Sequence, residues 1–232
     1  NNENKIFFKY LPLGVNDNGV NRVEAFEIVK EVKRRFSDEN LSKLSIGIIT
    51  FNIKQQELIE DLIEDLFAQY PSFYKKNEEN KDKIFVKNLE NVQGDERDVI
   101  LFSIGYSKNK YNRLNNFFGP LSLEKGERRL NVAITRSRKE MIIYSSIKGN
   151  DIDVDKVKNN GAKVLKDFLK YAELGGNYLI SEYDETVNYE EGVEKSIAND
   201  LIKLGYDLDL NIGDSKFKIN IAIKGINNEY LL

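Results

Sequence analysis

Residues 127–146, with the sequence ERRLNVAITRSRKEMIIYSS, decide the fold of this chain. The pattern predicts a helix that runs directly into a buried strand. Leu130, Ala133 and Ile134 share a helical stripe suited to packing on a sheet. Residues 141–144 form an apolar run typical of a strand that is buried on both faces.

Two arginines of this stretch are the first candidate functional residues. Arg129 and Arg136 lie two helical turns apart and share one stripe of the predicted helix. A guanidinium is permanently charged and forked, so one held rigidly at a domain edge suits recognition of a phosphoryl group. The alternative is an ordinary surface helix with solvated arginines, which the spacing alone does not exclude.

The composition excludes several classes of function. Of the 232 residues, 41% are hydrophobic and 31% are charged, as in a globular protein with one large or two small domains. The absence of Cys excludes disulfides and thiolate metal sites and favours a cytoplasmic location. The absence of His removes the usual metal ligand and general base. No apolar run is long enough to span a membrane.

The charge balance limits the kind of nucleic-acid binding that we expect. The formal net charge is -3 and the isoelectric point is about 5.4. A protein that binds nucleic acid through a globally basic surface is therefore not expected, whereas local basic patches remain possible.

Strand and helix patterns alternate through the first two thirds of the chain. Apolar runs predict strands at 6–11, 45–50, 83–87, 99–104 and 139–145. Asn21 followed by Glu24 resembles a capping box at the start of a helix, with Asn21 as the cap. Amphipathic patterns predict helices at 21–36 and 54–70 in addition to the opening helix, and the polar residues 71–81 are expected to form a loop. This alternation indicates an α/β fold, a parallel sheet with helices on both faces.

In such a sheet, ligands bind where the loops leave the carboxyl ends of the strands. Residues 50–55, residues 90–96 and the loop before Arg128 are therefore candidate site loops. The Gln93–Gly94 pair by itself is also compatible with a plain turn.

The rest of the chain predicts smaller elements. A helix covering 164–172 is followed by a second helix at 189–204 and by strands at 206–210, 217–223 and 229–232. We expect three parts, namely a domain at 1–148, a linker with one helix at 149–188 and a partial domain at 189–232. The chain starts without Met and ends inside an apolar strand, so we expect it to be a piece of a longer protein.

Three stretches together resemble the second motor domain of superfamily 1 helicases, most closely the 1B group. Residues 46–55 (IGIITFNIKQ) are similar to motif IV, residues 89–103 (LENVQGDERDVILFS) to motif V and residues 129–138 (RLNVAITRSR) to motif VI. Each motif alone is weak, whereas three in the right order form a specific signal. The resemblance covers roughly residues 5 to 148 and implies a RecA-like fold.

The resemblance implies roles at a nucleotide site. Arg136 matches the arginine finger of motif VI, which reaches the γ-phosphate of ATP bound in the first motor domain. Arg129 matches the other arginine of motif VI and would support the interdomain site. Gln93, Gly94 and Glu96 match motif V at the nucleotide site. Gly94 would allow close backbone approach, and Glu96 would face the nucleotide ribose or couple the nucleotide to the nucleic-acid strand.

The resemblance also implies contacts to a nucleic-acid strand. Thr50, Phe51 and Gln55 match motif IV, and Thr50 and Asn91 are candidate contacts to the sugar-phosphate backbone, because hydroxyls and amides bind phosphates without distinguishing bases. The motif departs from the family where Phe51 and Asn52 replace Pro-Tyr and where Gln56 replaces an arginine found in several relatives.

Half of an ATP site is missing from these residues. The sequence has no GxxxxGK[ST] loop and no Walker B carboxylate pair. The resemblance therefore implies that ATP with Mg²⁺ is bound mainly by an N-terminal RecA-like domain of the same parent chain, and that this chain alone does not hydrolyse ATP. The implied partner is single-stranded nucleic acid, which we expect to be DNA.

The C-terminal residues carry a second resemblance, to the opening of a Vsr-like PD-(D/E)xK nuclease domain. Tyr189, Glu190 and Val193 match its FExxV helix, and residues 217–223 (FKINIAI) match FRIDLAV. Asn220 stands where the family has its catalytic Asp, and an amide is a poorer Mg²⁺ ligand than a carboxylate. The implied nuclease site is degenerate, and a small α/β cap on the motor domain is the alternative.

Three hypotheses for the function follow. The first is the C-terminal motor domain of an ATP-dependent helicase or translocase. The second is a RecA-like adaptor without catalysis. The third is a nuclease, which Asn220 disfavours. An upstream GxxxxGK[ST] motif with an acidic pair would favour the first hypothesis over the second.

Overall fold

The computed structural model describes residues 5–175 except 110, 112, 116 and 155–159, and the backbone of strands at 207–212, 219–224 and 230–231. The chain divides into two units, and the first, Asn1–Tyr178, contains seven strands and five helices in the described residues. The strands are β1 (Lys5–Tyr10), β2 (Asn16–Asp17), β3 (Val20–Asn21), β4 (Ile46–Thr50), β5 (Phe85–Asn88), β6 (Arg97–Ser103) and β7 (Ser137–Ser145). The helices are α1 (Arg22–Ser37), α2 (Ile53–Gln69), α3 (Pro71–Glu79), α4 (Gly126–Ile134) and α5 (Asn160–Glu173).

A five-stranded parallel sheet forms the centre of this unit. Its strand order is β1-β7-β6-β4-β5, and each neighbouring pair is parallel. All five strands therefore start at one edge of the sheet, the amino edge, and end at the opposite carboxyl edge. This architecture is consistent with a RecA-like fold and confirms the predicted α/β class.

Helices cover both faces of the sheet, because successive strand residues point to opposite sides. Ile48 and Leu101 face a core formed with α1, α2 and α3. Their neighbours Ile49 and Ile100 face a second core formed with α4 and α5. Burial of apolar surface in these two cores is the main stabilising contribution to the three-layered arrangement.

Local sequence signals fix several boundaries. Asn21 precedes α1 and its side chain accepts a hydrogen bond from the backbone nitrogen of Glu24, while Asn52 does the same for Gln55 at the start of α2. These caps satisfy helix N–H groups that have no partner within the helix. In β4, a Cβ on Gly47 would lie 2.5 Å from the ring of Phe85 and 2.8 Å from the side chain of Ile100, so a larger residue would displace these side chains.

The polar segment 71–81 contains a helix, α3, and the predicted loop is wrong there. Pro71 occupies the start of the helix, where its fixed φ is favourable. Phe73 is buried and stacks on Tyr70 and Phe36 with ring centroids 5.0 and 5.8 Å away. One anchored aromatic thus holds a short helix that has too few apolar residues to show a helical period.

The helix predicted inside a linker, α5, packs into the core instead. Leu165, Phe168 and Leu169 are buried in the same cluster as Leu130 of α4. A Cβ on Gly161 would lie 1.9 Å from the backbone oxygen of Leu121, which shows how closely the start of α5 approaches the 3₁₀ turn Gly119–Ser122. The chain divides into units Asn1–Tyr178 and Leu179–Leu232, so α5 belongs to the first unit.

The second unit contains an antiparallel sheet in the order β10-β9-β8, formed by β8 (Asp207–Ile212), β9 (Ile219–Lys224) and β10 (Tyr230–Leu231). These strands confirm the three predicted near the end of the chain. Asn220 lies on β9, whereas Glu190 and the predicted helix at 189–204 lie outside the described residues. In the part of the chain that the structure describes, no helix combines the length and apolar character needed to cross a membrane.

Candidate functional site

Arg136 lies in the turn that joins α4 to β7. The helix ends at Ile134, so the prediction that Arg136 shares a helical stripe with Arg129 is wrong. The turn forms because the backbone oxygen of Arg136 already accepts a hydrogen bond from the nitrogen of Arg97, which begins the pairing of β6 with β7. Sheet pairing therefore ends the helix before its sequence pattern does.

Two hydrogen bonds fix the guanidinium of Arg136 to the end of α4 and the turn that follows it. Its Nε donates to the backbone oxygen of Val132 at 2.8 Å, and one Nη donates to the Thr135 hydroxyl at 2.9 Å. The side chain is 18% exposed, and its other Nη lies 3.6 Å from a carboxylate oxygen of Glu96. One Nη of this fixed, charged guanidinium therefore faces Glu96, which is exposed and lies at a long pairing distance.

Glu96 meets Arg136 because each residue immediately precedes one of two neighbouring strands. Its side chain is 51% exposed. The structure therefore brings together two residues that the sequence analysis assigned to a nucleotide site from different motifs. A phosphate oxygen can compete with Glu96 for the guanidinium, because both are anionic acceptors.

The other motif V residues lie on the exposed connection from the carboxyl edge to the amino edge. Gln93, Gly94 and Asn91 are all exposed. Gly94 has φ +88, and among the described residues no atom lies within 4 Å of where its Cβ would be. The glycine is needed for its backbone conformation, and the expected close approach of a ligand stays a prediction.

The contacts of Arg129 differ from those of Arg136. One of its Nη atoms donates to the backbone oxygens of Pro120 and Glu124, at 3.3 and 3.1 Å. These contacts tie the loop before α4 to the first turn of the helix. The predicted support of an interdomain site by Arg129 stays a prediction, and its contacts in this structure position the loop.

Further ion pairs lie at the amino edge of the sheet. Asp98 accepts hydrogen bonds from the Ser45 backbone and hydroxyl and pairs with Lys139 at 3.2 Å, while Arg138 pairs with Asp82 at 2.7 Å. Partial burial acts to raise the pKa of Asp98, but the hydrogen bonds from Ser45 and Lys139 outweigh it and keep this pKa below its usual value. Asp98 is therefore ionised near neutral pH and holds the starts of β4, β6 and β7 together.

The three motif IV candidates are buried at the carboxyl edge. Thr50, Phe51 and Gln55 are each 0% exposed. The Thr50 hydroxyl donates to the backbone oxygen of Asn52, and the Phe51 ring packs edge-on against Tyr106. Their side chains do not reach the surface in this structure, so the placement does not support the predicted direct contacts to nucleic acid.

Gln55 connects the start of α2 to its neighbours. It accepts from the backbone nitrogen of Asn21 at 2.7 Å and donates to the backbone oxygen of Asn21 and to the Ser103 hydroxyl. The side-chain amide thus pairs with the Asn21 backbone as a second peptide group would. Gln55 holds the loop before α1 against α2 and β6.

Glu24 is the central residue of this buried network, and the sequence analysis missed its role. Its carboxylate accepts from the Ser103 hydroxyl and the Gly105 nitrogen at 2.8 and 2.7 Å, and from the nitrogen and hydroxyl of Ser146, both at 3.0 Å. The predicted capping box is half present, because the Asn21 side chain caps α1 but Glu24 does not return to the Asn21 nitrogen. Asn21 Nδ2 instead donates to the Glu24 carboxylate at 3.1 Å.

Burial raises the pKa of Glu24 from 4.5 to about 7, although the hydrogen bonds from Gly105, Ser103 and Ser146 act to lower it. No described cation contacts this carboxylate, which sits among neutral donors. A glutamate three residues after a cap residue looks like an ordinary capping box in sequence. Apart from Asn21, its partners lie at least 79 positions away, so no local signal could have revealed them.

The described residues contain no group of three or more His, Cys, Asp or Glu side chains that could hold a metal ion. Asp98 and Asp82, two carboxylates at the amino edge, are both paired with cationic side chains. These side chains therefore do not form a Mg²⁺ site by themselves.

Comparison with known families gives one match that covers more than half of the chain. The model of the family described as AAA domain matches residues 13–148. The chain belongs to the AAA domain family. The matched residues include strands β2 to β7, with both the Arg136 turn and the Glu24 network.

Curated relatives of this AAA domain chain are named as helicases. The uncharacterized ATP-dependent helicase MG140 of Mycoplasma genitalium is 30% identical over 232 residues, which cover 94% of this chain and 20% of the relative. Its homolog in Mycoplasma pneumoniae is 29% identical with the same coverage. DNA polymerase alpha-associated DNA helicase A of Saccharomyces cerevisiae is 28% identical over 146 residues, 63% of this chain and 17% of the relative. The chain thus spans about a fifth of the length of these relatives.

Proposed function

We propose that this chain is the second motor domain of an ATP-dependent superfamily 1 helicase or translocase, and that it acts on single-stranded nucleic acid, DNA in preference to RNA. The names of the relatives support an ATP-dependent helicase. In this proposal, an N-terminal RecA-like domain of the full-length protein binds most of the ATP, and this chain completes the site.

The geometry of Arg136 carries the proposal. Its guanidinium is fixed by Val132 and Thr135, yet one arm points to a carboxylate that is half exposed. A fixed donor costs no reorganisation when negative charge develops on a transferring phosphoryl group, which is the property required of an arginine finger.

The mechanism assigns distinct work to the residues of this chain. When two motor domains close on ATP, Arg136 stabilises charge on the γ-phosphate, and Glu96 releases the guanidinium to the phosphate. Gln93 and Gly94 lie on the exposed connection that ends at Glu96 and contact the nucleotide from there. Mg²⁺ would be held mainly by residues of the other domain and would supply neutralisation of phosphate charge.

Contact with the nucleic-acid strand occurs at the carboxyl edge in this proposal. Asn91 is exposed just beyond the end of β5 and donates to phosphate oxygens without distinguishing bases. Thr50, Phe51 and Gln55 contribute indirectly, since they fix the loops that present the strand-binding surface.

The C-terminal unit adds a degenerate nuclease-like domain in this proposal. Glu190 and Asn220 occupy the positions of its helix glutamate and catalytic aspartate. The amide at Asn220 carries no charge for a metal ion, so we do not expect this unit to cleave DNA.

The test is the ATPase rate of the full-length protein with and without a single-stranded oligonucleotide. We expect Arg136→Ala to lower the stimulated rate by roughly a thousandfold or more, the usual contribution of an arginine finger, while ATP binding persists. Arg138→Ala is the matched control, because Arg138 lies two residues away and pairs with Asp82 instead. It should retain the wild-type rate.

Two results would reject the proposal. An Arg136→Ala rate equal to that of wild type would remove the arginine finger. A wild-type protein that neither hydrolyses ATP nor binds the oligonucleotide would leave the adaptor hypothesis in its place.

A further inference from the structure

A cavity opens at the carboxyl edge, between the segment around β2 and the long loop that follows β6. Its volume is about 430 Å³, within the range of small-ligand sites. We call it the hairpin cavity. Its lining combines aromatic, basic and amide side chains, among them Asn16, Tyr106, Asn109, Arg113, Asn115 and Phe117.

The walls of the hairpin cavity are tied together by specific hydrogen bonds. Asn16 donates through its side chain to the Gly105 oxygen and through its backbone to the Ser107 hydroxyl, both at 2.6 Å. Within the loop that follows β6, the Asn109 nitrogen donates to the Arg113 oxygen at 2.9 Å. The buried Glu24 accepts from the Gly105 nitrogen, so the network at the carboxyl edge sets the position of this loop.

Aromatic side chains give the cavity its apolar surface. Tyr106 packs edge-on against Phe118 and Phe51, with ring centroids 5.1 and 5.5 Å away, and forms a fixed wall. Phe117 is 58% exposed, although the next residue in the chain, Phe118, is fully buried. An exposed ring beside a fixed aromatic wall presents a face on which a planar group can stack.

One cation of the cavity is available to an anionic ligand. Lys108 pairs with Asp151 at 2.6 Å and is therefore compensated. The Arg113 side chain is exposed and forms no ion pair with the described residues. A stacking face, an uncompensated guanidinium and neighbouring amides together match the base, the phosphate and the base edge of a single nucleotide.

The cavity is separate from the Arg136 turn. Strand β6 runs from Arg97 to Ser103 between the two edges, and seven strand residues span roughly 20 Å. An ATP molecule whose γ-phosphate contacts Arg136 does not reach the hairpin cavity through the sheet. The ligand of the cavity is therefore a different one.

We propose that the hairpin cavity receives one unpaired base of the nucleic-acid strand, with the base stacked on Phe117 and an adjacent phosphate bound by Arg113. This inference rests on the proposed function, since it assigns a subsite to the strand that the motor moves along. It adds a nucleotide contact in a loop that lies between motifs V and VI.

Oligonucleotide binding by the full-length protein tests the cavity. Fluorescence anisotropy would compare an all-thymidine oligonucleotide with one of the same length that contains abasic positions. We expect Phe117→Ala to weaken binding of the thymidine oligonucleotide by about tenfold, the effect of losing one stacked base. The same substitution should change binding of the abasic oligonucleotide far less.

Arg113→Gln should have a different signature. Loss of one phosphate contact weakens binding to both oligonucleotides and lowers the slope of log K against log salt by roughly 0.7. Phe117→Ala should leave that slope unchanged. Phe26→Ala is the matched control, because Phe26 is 53% exposed on α1 and does not line the cavity, and it should bind as wild type.

The outcomes separate this inference from the proposed function. Wild-type binding of the thymidine oligonucleotide by Phe117→Ala, or equal losses on the two oligonucleotides, overturns the cavity assignment and leaves the motor proposal intact. If Phe117→Ala lowers the thermal midpoint, Phe117→Tyr retains an aromatic face and should restore binding, and failure to restore it also overturns the assignment. A wild-type protein that binds neither oligonucleotide contradicts the proposed function itself.

Discussion

The two edges of the sheet carry opposite kinds of polar structure. At the amino edge, Arg136, Glu96, Arg138 and Asp82 are charged and partly exposed, and they pair between neighbouring elements. At the carboxyl edge, the central group is the buried carboxyl of Glu24, surrounded by neutral donors. The charges around the Arg136 turn stay in reach of solvent, whereas the Glu24 carboxyl is buried completely.

The difference distinguishes charged side chains that are available to a ligand from buried polar groups that hold the structure together. An exposed ion pair is worth little to stability because water solvates both partners in its absence. A ligand can therefore replace one partner at low cost, which suits the Arg136 turn. A buried acceptor with several donors cannot be removed without leaving those donors unsatisfied, which suits a group that positions loops.

Glu24→Ala should give the largest effect on stability. It leaves donors of Ser103, Gly105 and Ser146 without an acceptor in a buried site, and we expect unfolding in urea to require about 3 to 5 kcal/mol less free energy than in wild type. Glu24→Gln retains an acceptor oxygen and nearly the same volume, so it should lose clearly less. Equal stability of Glu24→Ala and wild type would show that the two edges do not differ as described.

The pH dependence of stability should sharpen the same contrast. The pKa of Glu24 is about 7 when folded and 4.5 in the absence of burial, so the folded state binds the proton more tightly. The stabilising contribution of this proton is fully present below about pH 4.5 and is lost as the pH rises through about 7.

The expected size of this change is about 3 kcal/mol, from the shift in pKa. Urea unfolding of wild type and Glu24→Gln at pH values between 5 and 8 measures it. The stability of wild type relative to Glu24→Gln should fall across this window, because the amide does not titrate. A difference that stays constant with pH would show that Glu24 keeps an ordinary pKa.

Arg138→Ala at the amino edge should have the smallest effect. It removes the pair with Asp82 and the hydrogen bond to the Ser45 hydroxyl. Asp82 is partly exposed, so water can solvate its carboxylate once the pair is lost. We expect an unfolding midpoint close to that of wild type at low salt and indistinguishable from it at high salt. A loss as large as that of Glu24→Ala would contradict the contrast between the edges.

Long apolar patterns made much of the fold predictable. The order of the five sheet strands along the chain and helices α1, α2 and α5 follow from runs such as residues 46–50 and from helical spacing, and the structure confirms them. Segment 71–81 was wrongly predicted as a loop because its helix depends on one aromatic, Phe73, that packs on Phe36 of α1 and on Tyr70 between α2 and α3. Contacts with residues outside the segment, and not a local apolar pattern, stabilise α3.

The candidate site was only partly predictable. Motif resemblance selected Arg136 and Glu96, and the structure places them 3.6 Å apart. The same resemblance selected Thr50 and Gln55, which are buried. A motif marks the residue types that recur at a position, and a recurring residue can hold a loop in place as well as touch a ligand.

Periodicity and local signals in the sequence predicted the parallel α/β class and the cap at Asn21. These features depend on periodicity and on short-range hydrogen bonds, which neighbouring residues specify. Only tertiary contacts place Glu24 against Ser103 and Ser146 and form the hairpin cavity between the segment around β2 and the loop after β6. Both depend on which strands lie side by side, because only the sheet order brings groups 79 to 122 positions apart into one hydrogen-bonded cluster.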